Sequence, residues 1–184
     1  MNSAQLISLL QSYQKTCSPS KSETAQLFLR FLNEYPDDFW KRSHMHPGHV
    51  TISAWVVSPD KKHVLMMHHR GVDKWVQLGG HIDPPDTDVY AVALREVLEE
   101  CGLTGKLMSA DIFDIGHHVI PLRPSKGEGE HEHFDVRFIV SVPFEPPHKE
   151  DHSAVAMQWI PLEKMDSLTQ TGEIETMIEK TKSL

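Results

Sequence analysis

From Arg95 to Leu103 the chain reads Arg-Glu-Val-Leu-Glu-Glu-Cys-Gly-Leu, and this stretch constrains the fold more than any other. On a helix each residue turns by about 100°, so Glu96, Glu99 and Glu100 share one face. Tyr90, Leu94, Val97, Leu98 and Cys101 fall on roughly the opposite face, which can pack on a sheet. The spacing predicts a helix over residues 88–101 with Gly102 as its C-cap. Three adjacent anions repel one another, and the macrodipole disfavours them near a helix C-terminus. A Glu-rich face is commonly only solvated. A divalent cation changes the balance, because clustered carboxylate oxygens suit hard Mg²⁺ or Mn²⁺.

The residues just upstream favour the cation. Trp75 to Leu78 reads as a short strand ending at Gly79-Gly80, and a loop of about six residues then enters the helix. A glycine turn lets the backbone come close to a ligand or an ion. A strand, a loop and a helix with three carboxylates make a cradle for a metal and a diphosphate.

The rest of the chain reads as an α/β protein with a helical start. Residues 4–13 and the segment after Cys17-Ser18-Pro19 form two helices, the second with a capping-box spacing at Ser20 and Glu23. Tyr35-Pro36-Asp37-Asp38 ends it. Val50 to Val57 and Val64 to Met67 are two strands of a hairpin around Ser58-Pro59-Asp60-Lys61. Strands follow near 106–108 and 112–119. Phe134, Val136, Phe138, Val140 and Val142 alternate, which predicts a strand with one buried face. A last strand, 155–160, precedes a helix from Glu173.

The expected organisation is an N-terminal helical extension (1–40), a main domain (44–165) and a C-terminal helical tail (166–184). With 184 residues the chain can bury a core without staples. No apolar run approaches the ~20 residues needed to span a bilayer, and Met1 to Tyr13 lacks the features of a signal peptide. Two cysteines, Cys17 and Cys101, make no disulfide framework and point to a reducing cytoplasm. A net charge of −8 argues against binding nucleic-acid backbones. An acidic protein that handles phosphates needs a metal ion to offset its own repulsion.

The segment Gly80 to Leu103 resembles the signature of the Nudix hydrolases: a glycine, five residues, Glu, seven residues, then Arg-Glu-aliphatic-any-Glu-Glu-any-Gly-aliphatic. Arg95 to Leu103 matches that second half at every specified position, and Trp75 with Gly79-Gly80 is similar to the usual lead-in. The resemblance extends over roughly residues 44–165, with Trp159-Ile160-Pro161-Leu162 near its end. Gly79-Gly80-His81 and His131 to Phe138 are similar to a group of bacterial Nudix proteins whose substrates are poorly assigned. Three departures stand out. Leu78 sits where proline is common, Asp86 sits where Glu is usual, and one extra residue separates Asp86 from Arg95. Asp83, Asp86 and Asp88 are the substitutes at hand for the missing glutamate.

The resemblance implies an α/β/α sandwich with a mixed β-sheet and a metal-dependent hydrolase. Its substrate would be a nucleoside diphosphate linked to another group, cleaved by attack of metal-activated water on phosphorus. By position, Glu96, Glu99, Glu100 and the Gly80 carbonyl would bind Mg²⁺ or Mn²⁺. Arg95 would hold the glutamates, and Gly79, Gly80 and His81 would meet the small-molecule diphosphate. Glu128, Glu130, Glu132, Glu150 and Asp151 are candidates for a further carboxylate, and Arg70, Arg123 and Lys126 for phosphate contacts. The N-terminal helices would cover the sheet edge or form a homodimer contact.

Thirteen histidines are many for this length. His44, His46 and His49 precede the first strand. His131 and His133 share a strand face and can bind a metal or a phosphate, although ordinary pocket histidines are commoner and no zinc motif accompanies them. Two other functions are open. A non-catalytic nucleotide sensor usually loses box carboxylates, and all three remain here. A type 1 isopentenyl-diphosphate isomerase carries a cysteine before its Gly-His, where this chain has Leu78-Gly79-Gly80-His81.

Overall fold

Polar caps and apolar spacing set the first two helices. In the computed structural model they are α1 (Ala4–Gln14) and α2 (Pro19–Glu34). The cap of α2 is Ser18, whose side chain accepts from the Lys21 amide, with Pro19 at the first helical position. The Ser20–Glu23 box expected from spacing therefore lies two residues too late. The structure describes residues 1–71, 73–124, 127–148, 154–167 and 172–184.

The strands are β1 (Gly48–Val57), β2 (His63–His69), β3 (Lys74–Val76), β4 (Leu78–His81), β5 (Lys106–Leu107), β6 (Asp114–Ile120), β7 (His131–Ser141) and β8 (Ala154–Pro161). Helix α3 spans Val89–Cys101, a 3-10 helix spans Leu162–Ser167, and α4 spans Gly172–Lys182. Together they form one mixed sheet with flanking helices. At its centre β1 runs parallel to β7, from Gly48↔Glu132 to Val57↔Ser141. The other pairings are antiparallel, β4 on β1, β6 and β5 on β7, and β3 and β8 on β2.

Three strand expectations change. The β1–β2 hairpin pairs only at Val56↔Leu65 and Val57↔Val64, and β2 pairs mainly with β8. The strand expected over 75–78 is two, because β3 pairs with β2 and β4 pairs with β1. Strand β7 is buried on both faces from Phe134 to Val140, not on one. Helices cover both sides of it, as in sheets whose strands read as near-continuous apolar runs.

The core follows from that layering. On one side, Val50, Ile52, Phe134, Val136 and Phe138 pack with Leu6, Leu10, Phe28 and Leu32 of the first helices and with Val92 and Ala93 of α3. Further along, Ala54, Val56, Leu78 and Val140 pack with Val97 and Cys101. On the other side, Trp55, Val57 and Ile139 pack with Met177 and Ile178 of α4. The Trp55 Nε1–H donates to Thr181 Oγ1 at 2.8 Å.

The N-terminal helices share this core. The Phe31 ring stacks on Phe134 at 4.1 Å. Asp114, fully buried in β6, accepts from Tyr13 Oη (3.0 Å), Lys21 Nζ (2.7 Å) and Arg137 Nη1 (3.1 Å). The helices thus cover the sheet and are tied to it by a buried charge.

Candidate active site

Helix α3 is fixed at both ends before any chemistry is considered. Asp88 caps it by accepting from the Tyr90 amide, and Gly102 ends it in the left-handed region at φ 71°. Val89, Val92, Ala93, Val97 and Cys101 are buried, while Leu98, expected on the packing face, is 52% exposed. In its place Glu96 and Glu100 turn inward, at 8% and 7% exposure.

They turn inward because β4 offers no side chains there. A Cβ on Gly80 would come within 2.8 Å of both Glu96 carboxylate oxygens. Gly79, at φ 141°, lies so close to β1 that a Cβ would sit 2.5 Å from the Ser53 Cα. The Gly79 amide donates to Glu100 Oε2 at 2.9 Å. The two glycines are within β4 rather than in a turn after it, and each touches one acidic side chain.

Arg95 organises the rest. Its Nη1 donates to Glu96 Oε1 and Glu99 Oε2, and its Nη2 to the His81 carbonyl and Asp86 Oδ2, all at 2.9 Å. Asp86 therefore takes the guanidinium, Asp83 stands off at 3.6 Å, and Asp88 serves as the helix cap. Burial opposes the Arg95 charge, but the Asp86 hydrogen bond and the neighbouring carboxylates outweigh it and raise its pKa. Glu99 is the exposed member of the trio.

Burial pushes the Glu96 carboxyl up to about 7, against the pull of Arg95 and with the repulsion of Glu99 and Asp83. A carboxylate that desolvation has made hard to ionise is one that a cation would stabilise. The space above Gly80, which a Cβ would fill, lies beside it. Hard oxygen donors from Glu96, Glu99, Glu100 and the Gly80 carbonyl fit Mg²⁺ or Mn²⁺.

His81 sits elsewhere than the carboxylates. Its carbonyl meets Arg95, but its ring packs among histidines, 5.0 Å from His49 and 5.3 Å from His133. His49 is the second residue of β1 rather than a residue ahead of it. Burial lowers the pKa values of His49, His81 and His133 to about 4, 3 and 2.

Among the later carboxylates, Glu128 binds Arg42 at 2.6 Å, Glu132 meets His117 at 2.7 Å, and Glu130 is exposed. Arg123 faces Glu128 at 3.9 Å. Glu150, Asp151 and Lys126 lie outside the described residues. Sequence reasoning passed over one cluster. Asp135 accepts from Thr51 (3.1 Å), Ser53 (2.7 Å), Gln77 (3.2 Å) and Arg137 Nε (2.7 Å) beneath β4. Its signal was a charge at two alternate positions of a strand otherwise rich in apolar residues.

Comparison with known proteins places the fold and the family. The NUDIX domain model matches residues 47–180. No curated protein matches the chain. Among solved structures, a NUDIX-family hydrolase from Clostridium perfringens is 21% identical, with a TM-score of 0.53 over 73% of this chain and 95% of that one. The E. coli dihydroneopterin triphosphate pyrophosphohydrolase is 20% identical, with a TM-score of 0.53 over 73% and 96%. A C. elegans Ap4A hydrolase is 15% identical, with a TM-score of 0.56 over 73% and 95%. At these identities the likeness is one of fold.

Proposed function

The chain belongs to the Nudix family, whose hydrolases act on pyrophosphate bonds, and from that premise we propose that it cleaves a diphosphate linkage in a nucleoside diphosphate linked to another group. The observation that supports this most is the pair of inward glutamates against Gly79 and Gly80, Glu96 held by Arg95 and Glu100 by the Gly79 amide. Glu96, Glu99, Glu100 and the Gly80 carbonyl would hold Mg²⁺ or Mn²⁺. When bound, such an ion supplies neutralisation of the diphosphate and a water of lowered pKa.

The chain's own residues do the positioning. Arg95 fixes Glu96 and Glu99 relative to the loop at Asp86, so the acidic oxygens need no rearrangement when substrate arrives. Burial of Glu96 and Glu100 keeps bulk water from their inner oxygens. Segments 121–124, 127–130 and 143–148 and the N-terminal helices are the described stretches left to choose the group attached to the diphosphate. A reducing cytoplasm, where Cys17 and Cys101 stay thiols, suits the same reading.

The test is a product-release assay over nucleoside triphosphates, dinucleotides, nucleotide sugars and non-nucleoside diphosphates, each with Mg²⁺, Mn²⁺ or chelator. Cation-dependent release from one class, lost in Glu96→Gln and Glu100→Gln, is the expected result. Turnover that persists in chelator, or survives both substitutions at the wild-type rate, overturns the assignment.

A further inference from the structure

The histidines collected at one end of β1 and β7 are not used by the carboxylate site. We infer that His49, His131 and His133 form a second metal site, selective for a nitrogen-preferring divalent ion of the zinc type. One ligand atom from each of the three rings can be chosen so that all lie within 4.8 Å of one another. The register explains the grouping. His49 and His133 are direct partners in the parallel β1–β7 pair, and His131 lies two residues before His133 on the same strand face.

Two of the three rings, His131 and His49, are presented as metal-binding histidines should be. The Nδ1–H of His131 donates to the Gly129 carbonyl at 2.8 Å, and that of His49 to the His44 carbonyl at 3.2 Å. A carbonyl only accepts, so both rings carry their proton on Nδ1 and leave Nε2 unprotonated, the form that can ligate a metal. His49 is fully buried, and its Nε2 has no hydrogen-bond partner among the described residues. A buried polar atom without a partner is costly, and a cation would remove that cost.

The spacing of one pair already fits. The Nε2 atoms of His131 and His133 are 3.2 Å apart. Two imidazole nitrogens on one tetrahedral zinc, each at about 2.0–2.1 Å, are about 3.3 Å apart. Packing alone does not call for this arrangement, since a valine or phenylalanine would fill the same space without polar atoms to satisfy. Imidazole nitrogen selects zinc, cobalt, nickel or copper over magnesium. Three histidines would leave a further position on such an ion, and the His81 ring packs against His49 and His133.

The site rests on geometry separate from Glu96 and Glu100, so it stands or falls independently of the proposed hydrolysis. The full chain, stripped with chelator, is to be titrated with Zn²⁺ and with Co²⁺ in the presence of excess Mg²⁺. One tightly held ion per chain, the visible bands of tetrahedral cobalt, and imidazole scattering in the X-ray absorption of the zinc form are expected. His131→Gln combined with His133→Gln should lose the ion, and Glu96→Gln combined with Glu100→Gln should keep it. The absorption measurement uses the wild-type chain, so it holds even where a histidine variant fails to fold. A zinc shell of oxygen only, loss of the ion in the glutamate variant, its retention in a folded histidine variant, or no tight zinc at all would each overturn the site.

Discussion

Arg95 and Asp86, nine residues apart, are joined by a 2.9 Å hydrogen bond from Nη2 to Oδ2. The same guanidinium reaches two glutamates on its own helix and the His81 carbonyl on β4. A planar fork with fixed donors can do this, whereas the single ammonium of lysine cannot. Arg95→Lys should therefore lower kcat by about 10–100-fold, the usual effect of losing a residue that orients metal ligands. The melting temperature should move little. Steady-state kinetics with Mg²⁺ checks this, and a kcat within twofold of wild type would show that Glu96 and Glu99 hold their places unaided.

The three atoms nearest a Cβ on Gly80 all belong to the end of the Glu96 side chain, so adding a methyl there first displaces a carboxylate. Gly80→Ala should fold with near-normal stability yet lose about 100-fold in activity, the cost of misplacing a group by about 1 Å. Thermal melting beside the release assay separates the two effects. Equal loss of both would mean that the glycine is there for folding.

Glu96 gives a pH signature in chelator. Its folded pKa of about 7 lies above the ordinary 4.5, so the folded chain holds a proton that the unfolded chain releases. Its contribution to stability is fully present below pH 4.5 and is lost as pH rises through 7. Above that the penalty is about 3 kcal/mol at most. His49, His81 and His133 act with the opposite sign, because their folded values are depressed. Their contribution is present above pH 6.5 and is lost as pH falls. Comparing wild type with Glu96→Gln isolates the glutamate. Denaturant unfolding should show the variant gaining on wild type as pH rises from 5 to 8, and parallel curves would contradict the buried carboxyl.

Asp114 joins the N-terminal helices to the sheet through Tyr13 and Lys21, with Lys180 of α4 3.6 Å away. Asp114→Asn keeps the shape but leaves three cations facing a neutral amide. Breaking a buried pair in this way should cost about 3–5 kcal/mol. Denaturant melts measure it, and a loss below about 1 kcal/mol would show that the aromatic contacts of α2 hold the helices by themselves.

The acidic helix was legible because everything that defines it is local. Asp88, Gly102 and the spacing of Val97, Cys101 and the glutamates all lie within one element. What the periodicity could not show was which face is buried. The sheet takes Glu96 and Glu100 inward and leaves Leu98 out, since two glycines of β4 leave room for carboxylates. His131 and His133 could be placed on one strand face from their spacing. Their meeting with His49 could not, because it depends on a parallel pairing of strands far apart in the chain. The burial of both faces of β7 was hidden for the same reason.

That pairing also sets how much chain must be closed to build each site. Gly79 and Glu100, which shape the acidic cradle, are 21 residues apart, whereas the Thr51–Asp135 bond across β1 and β7 closes 84. Two doublings of loop length add about 1.2 kcal/mol of closure entropy. The contact that shapes the acidic cradle therefore closes a shorter loop than the pairing that gathers the histidines, which needs two distant parts of the chain to meet.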